Sequence, residues 1–254
     1  MPVEINTAST LILIMLTGTV AGFLNVTAGG GTILTLPVLN FIGLDLGVAN
    51  ATNRVSILFQ NLSAIRHYHQ NGKIDWKEAL AFILPAVAGA ILGTLSAVYM
   101  PARIFRIIAA ISIFSMGVLL AAKPKMWDAP QGEPLSPYKR TAALFLVGVY
   151  GGFLQAGVGF LLIWAISGGC KKNLREANVL KITVVAFYTV ASLALFASFG
   201  MVNWTAAFAL AFGSVIGGNA GARFNLRAND RVIRWILTAV VLVSSIKMMI
   251  DAFR

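Results

Sequence analysis

The chain is poor in the residues most chemistry needs. A single cysteine, Cys170, excludes an internal disulfide and any multi-cysteine metal site. There are only 9 Asp and Glu against 20 Lys and Arg, and 2 histidines. No HExxH run, no paired carboxylates inside an apolar segment and no Ser–His constellation is present, so a membrane enzyme acting on a lipid or thiol is the weakest of the readings considered. Charged residues make up 11% of the chain and hydrophobic residues 58%. Segments 79–99 and 104–122 contain no charge other than Arg106. At ~1.5 Å per residue, runs of about 20 residues cross a hydrocarbon core of ~30 Å, and several in succession describe a polytopic membrane protein. Met1–Ser9 lacks the basic start of a cleavable signal peptide, and the apolar run that follows continues into more membrane sequence.

What the chain does have is a repeat. Shifted by 128 residues, Gly72 falls on Gly200, Trp76 on Trp204, Gly89 on Gly217, Gly93 on Gly221, Arg103 on Arg231 and Arg106 on Arg234. Over 72–108 this register gives 10 identities in 37 positions, and it extends back to Ala49-Asn50 on Ala177-Asn178. A shift of 130 places Gly22-Phe23-Leu24-Asn25 on Gly152-Phe153-Leu154-Gln155. Apolar runs and breakers give five elements in each half, at 9–27, 31–43, 47–70, 76–99 and 102–122, then at 139–156, 158–169, 174–199, 204–224 and 229–252. The second of each five is too short to span and reads as a half-helix or re-entrant segment. The expected fold is therefore an all-α integral membrane protein of two repeats (9–122 and 139–252), joined by the linker 123–138. Each repeat carries about four membrane-spanning helices and one short segment.

The net charge of +11 invites a nucleic-acid reading, but the distribution of the charges argues against it. Fourteen of the 20 cations lie in four places: 66–77, 123–140, 169–176 and 223–234. All four fall on one side if the chain starts outside, and the positive-inside rule makes that side cytoplasmic with both termini outside. Matching loops of the two halves then face opposite sides. The repeats are expected to be inverted, a construction used by secondary transporters whose substrate sites lie between the halves. The expected location is the cytoplasmic membrane of a prokaryote.

Two cations remain inside apolar segments, Arg54 and Lys181, each about eight residues, or ~12 Å, from the start of its element. A charge at that depth costs a few kcal/mol unless it is used or paired, which makes both candidate site residues. The alternative, that they snorkel or pair with a carboxylate, finds no Asp or Glu at comparable depth. Asn50 and Asn53 share a helix face with one another, as Asn178 and Lys181 do in the second half. Glycine breaks stand before both short segments: Gly29, Gly30 and Gly31, leading into Thr32, and then Gly157 and Gly159. Such breaks expose half-helix N-termini, whose N–H groups and positive dipole suit an anion. Asn25 and Gln155 flank the breaks. Gly89 with Gly93, and Gly217 with Gly221, read instead as helix-packing faces. His67 and His69 share no helix face and read as interfacial.

The arrangement of Gly22-Phe23-Leu24, Ala28-Gly29-Gly30-Gly31-Thr32 and Pro37, followed by Ala49, Ala51-Thr52-Asn53 and the Gly72–Trp76 turn, resembles the sulfite exporter TauE/SafE family of membrane permeases. The second half repeats it as Gly152-Phe153-Leu154, Val158-Gly159, Ala177-Asn178 and Lys181, with Phe160 and Leu161 answering Gly30 and Gly31. The resemblance implies movement of a sulfur-containing anion (sulfite, thiosulfate or an organosulfonate) across the cytoplasmic membrane. The expected partners are that small anion and the lipid bilayer; no cofactor is expected. An anion channel sharing the same site is the runner-up.

Overall fold

The computed structural model describes residues 7–27, 29–122, 134–170 and 172–227, and among them the only regular secondary structure is nine helices. These are α1 (Ala8–Thr27), α2 (Gly31–Phe41), α3 (Leu46–Gln70), α4 (Trp76–Tyr99), α5 (Ala102–Ala122), α6 (Pro137–Phe153), α7 (Val158–Cys170), α8 (Leu174–Ser198) and α9 (Trp204–Arg227). The sequence-based boundaries agree to within three residues; the tenth expected element, 229–252, and most of the linker lie outside the described residues.

The helix ends follow from local chemistry. Asp45 caps α3 by accepting from the Gly47 N–H, and Asp75 caps α4 by accepting from the Glu78 N–H. Asn173 and Glu176 form a reciprocal capping box at the start of α8. The ends of α3 and α8 are the same motif at matching repeat positions. Gly72 (φ 61°) and Gly200 (φ 68°) take the left-handed conformation, and Lys73 N–H donates to Tyr68 O as Met201 N–H donates to Phe196 O.

The two halves are interlocked rather than side by side. Helix α1 packs along α9, and α6 packs along α4. Both contacts are backbone-close. A Cβ at Gly18 or Gly22 would run into Leu210 or Ser214 of α9, and one at Gly213 or Gly217 into Met15 or Thr19 of α1. In the other pair, Gly148 and Gly152 lie on Ala86 and Ala90, while Gly89 and Gly93 lie on Phe145 and Val149. Small residues at such crossings let helices associate in a solvent that offers no hydrophobic drive. The pattern recurs between the halves: α3 also packs on α9 as α8 packs on α4, and α3 and α8 meet each other in the middle. Packing thus groups eight of the nine described helices into a bundle of α1, α3 and α9 with α2, and a bundle of α4, α6 and α8 with α7, while α5 touches α3.

The loops collect at two ends. Asp45 reaches Arg106 and Tyr99 stacks edge-on to Phe199 at one end; Glu78 pairs with Lys172 and Leu135 N–H bonds Gly169 O at the other. The second end carries Arg66, Lys73, Lys77, Lys139, Arg140, Lys172, Arg175 and Arg223 among the described residues, and the first carries Arg103 and Arg106. Between them, α1, α4, α8 and α9 are long and apolar enough to cross a membrane. Their outer faces expose Leu16, Leu84, Leu92, Val190, Phe208 and Phe212, as lipid contact requires. This is a multi-pass, all-helical membrane protein.

Candidate functional site

The chain breaks between α1 and α2 and between α6 and α7 meet at the centre of the molecule. Gly29 (φ 89°) and Gly157 (φ 77°) supply the left-handed backbone that each break needs. The two breaks touch: a Cβ at Gly159 would fall 2.5 Å from the Gly29 Cα, and one at Gly29 would fall 2.8 Å from the Gly159 Cα. Glycine is required at Gly159 by this close approach.

Each break is tied to the third helix of the opposite half. Arg54, on α3 and fully buried, donates through Nη1 to Gln155 Oε1 and through Nη2 to Gly152 O (2.8 Å), both at the end of α6. Its guanidinium also lies 5.4 Å from the centre of the Phe196 ring. One turn earlier, Asn50 Nδ2 donates to Phe153 O (2.9 Å), and its Oδ1 accepts from the Gln155 N–H (3.4 Å). On α8, Asn178 Nδ2 donates to Val26 O (2.8 Å) and Lys181 Nζ to Asn25 O (2.9 Å), both at the end of α1. The cations therefore neither snorkel nor pair with a carboxylate. They satisfy the orphan carbonyls where α1 and α6 stop, at the negative ends of those helix dipoles. Among the described residues neither forms an ion pair.

A cavity of about 20 Å³, room for about one water, opens beside the Gly29–Gly159 contact. Of the residues expected at a site, Asn25, Gly29, Thr32, Gln155, Gly159 and Lys181 line it. Arg54 does not; it stands behind Gln155 and fixes that side chain. Asn50 and Asn178 hold the helix ends. Asn53 ties α2 to α3, accepting from Thr35 Oγ1 (3.0 Å) and donating to Thr32 Oγ1 (3.4 Å). Gly30 is the N-cap of α2, Gly31 packs against Ala21 O, and Gly157 shapes the second break; none of the three lines the cavity. The Thr32 N–H, expected as a free donor, is taken by Asn25 Oδ1 (3.2 Å).

Sequence reading missed Gln60 and Asn61, which complete the polar wall from α3. They stand two turns beyond Asn53 and Arg54 respectively, each at i+7, so the helical period could have found them. Gln60 Oε1 is buried without a partner among the described residues. Ile57, Val158, Ile182 and Val185 make the rest of the wall apolar. No Asp, Glu or His lines the cavity, and the described residues contain no cluster of three or more His, Cys, Asp or Glu that could hold a metal. The described lining thus carries one lysine and several amide groups, and no carboxylate.

Comparison with known proteins gives a consistent result. The sequence model of the family described as Sulfite exporter TauE/SafE matches residues 14–248. A probable membrane transporter protein of Sinorhizobium sp, ORF9, is 28% identical over 239 residues, covering 91% of this chain and 89% of that protein. A probable membrane transporter protein of Haemophilus influenzae is 26% identical, covering 95% of both chains. The probable membrane transporter protein YfcA of Escherichia coli is 27% identical over 91% of this chain and 87% of its own.

Proposed function

The chain belongs to the sulfite exporter TauE/SafE family, and from that premise we propose that it is a secondary transporter moving a small sulfur-containing anion across the cytoplasmic membrane by alternating access. That it is a membrane transporter follows from the family and its relatives. The substrate class rests on one observation: the cavity between the two glycine breaks presents the Lys181 ammonium, the Gln155, Gln60 and Asn61 amides, and no carboxylate. A sulfite or sulfonate group offers three acceptor oxygens to such donors.

The interlocked packing supports two inverted repeats, 9–122 and 139–252, with the basic end in the cytoplasm and both termini outside. The glycine-packed bundles are the natural rigid bodies, and the seam between them is crossed by the two ties. The Arg54 tie lies toward the sparsely charged end and the Lys181 tie toward the basic end. Opening one while the other holds would expose the cavity to one side at a time. A cavity that closes around about one water favours a carrier over a channel, since a channel needs a continuous pore.

The test is a thermal-unfolding panel on the purified protein with sulfite, thiosulfate, sulfate, sulfoacetate, taurine and chloride. A ligand at 100 times its Kd stabilises by about 2.7 kcal/mol. A shift with one sulfur anion and none with chloride supports the reading. The same shift with every anion, or with none of them, contradicts it.

A further inference from the structure

A second polar cleft, of about 250 Å³, lies at the basic end between α3 and α9, and shares no lining residue with the central cavity. Its lining residues are Ser63, Arg66, His67 and Gln70 of α3 and Asn219 and Arg223 of α9. The spacings i, i+3, i+4 and i+7 on α3, and i, i+4 on α9, place each set on one helix face. Among the described residues, no acidic and no apolar side chain lines the cleft. Arg66 and Arg223 are exposed, and neither makes an ion pair among the described residues.

What identifies the occupant is the surface leading to the cleft. On α3, Phe59 and Leu62 stand on the same face as Ser63, Arg66 and Gln70, and both are exposed. On α9, exposed Phe208, Phe212 and Ile216 form a stripe that continues, at helical spacing, into Asn219 and Arg223. Each helix therefore offers an apolar, outward-facing track that ends in an arginine. The helices pack together alongside these tracks, with Ser56 and Ser214 sharing a hydrogen bond of 2.7 Å. An apolar track leading into a paired-arginine cleft at one end matches a molecule with a hydrocarbon tail and an anionic head.

We propose that this cleft binds the phosphate headgroup of an anionic phospholipid of the leaflet facing the basic end. Arg66 and Arg223 bracket the phosphate, Ser63, Gln70 and Asn219 meet its oxygens or the glycerol, and an acyl chain lies along Phe59, Leu62, Phe212 and Ile216. Guanidinium groups suit phosphate because their forked donors match its oxygens, and basic pockets between helices at the cytoplasmic surface are suited to anionic lipid heads. The lipid would brace α3 against α9, within the bundle that carries Arg54. The proposal does not depend on which solute is transported.

The experiment is native mass spectrometry of the full chain in detergent micelles doped with phosphatidylglycerol, with a parallel arm containing inorganic phosphate. It compares wild type, Arg66→Gln, Arg223→Gln, the double variant, and a charge-matched control, Lys77→Gln with Lys139→Gln, whose positions lie on α4 and α6 outside the cleft. Helix content by circular dichroism confirms that each variant is folded. The expected result is one retained phosphatidylglycerol per wild-type chain, retention weakened about ten- to thirty-fold in the double variant and intermediate in the singles, with the control close to wild type. Equal loss in the control and the double variant would mean diffuse attraction to the surface and overturn the site. Arginine-dependent binding of inorganic phosphate without lipid retention would overturn the lipid assignment in favour of a free-anion site.

Discussion

Replacing Lys181 by methionine isolates the charge on the cavity wall. Methionine keeps much of the length and apolar stem while removing the ammonium that bonds Asn25 O at 2.9 Å. In the unliganded protein two effects oppose: the Asn25 carbonyl loses its partner, costing about 1–3 kcal/mol, while a buried charge is removed. The resting stability is therefore the wrong readout. The ligand-induced shift is the right one. A hydrogen bond to a charged group contributes about 1.5–3 kcal/mol, so the Kd for the anion should rise about 10- to 160-fold. At a concentration giving wild type about 2.7 kcal/mol of stabilisation, the variant should retain about 0.3–1.3 kcal/mol. For a chain of this size, with about 2–4 °C of Tm per kcal/mol, the shift falls from about 5–11 °C to about 1–5 °C. Differential scanning fluorimetry with a full titration measures this. An unchanged Kd in Lys181→Met, with the protein folded, would refute the assignment of the cavity charge.

Three further outcomes follow from the same geometry. Arg54→Met should lower Tm, because Gln155 Oε1 loses its donor while Gly152 O keeps Thr94 Oγ1 at 3.1 Å; a cost of about 1–3 kcal/mol is expected, with the ligand-induced shift less affected than in Lys181→Met because Arg54 lies behind the cavity wall. Gly159→Ala places a methyl 2.5 Å from the Gly29 Cα, and overpacking of about 1–3 kcal/mol should show as lost Tm together with lost anion binding, since the two breaks must part. Glu78→Gln, by contrast, breaks a partly exposed ion pair of 3.0 Å with Lys172 and should change stability by less than about 1 kcal/mol in chemical denaturation. The hydrogen bond to Glu78 raises the Lys172 pKa above its ordinary 10.5. The pair's contribution is therefore present below that value and fades only as pH climbs through the higher folded-state pKa.

Several elements are legible because their boundaries are written locally. Asp45, Asp75 and Asn173 cap helices, Gly72 and Gly200 end them, and apolar runs set their lengths. The exchange of α4 and α9 between the halves is not legible, because small-residue faces announce a close partner without naming it; Gly89 and Gly93 fit any helix with a matching groove. At the site, depth in an apolar segment singles out Arg54 and Lys181, and the break glycines mark the centre. What periodicity does not tell is which of the two cations faces the cavity. In the 128 register Lys181 answers Asn53, not Arg54, and that one-residue offset turns the side chain by about 100° around its helix. Gln60 and Asn61 escape notice because they stand about two turns beyond Arg54 and outside the glycine breaks, the features that single out the other amides.

The most direct test of anion transport is counterflow in proteoliposomes, loading them with unlabelled sulfite or thiosulfate and following entry of the same anion labelled with sulfur-35. A carrier that closes around its substrate predicts saturable uptake with transient overshoot, strongly reduced in Lys181→Met and absent with chloride as the loaded anion. Uptake that rises linearly with concentration and shows no overshoot, or that survives unchanged in Lys181→Met, would contradict alternating access through this cavity.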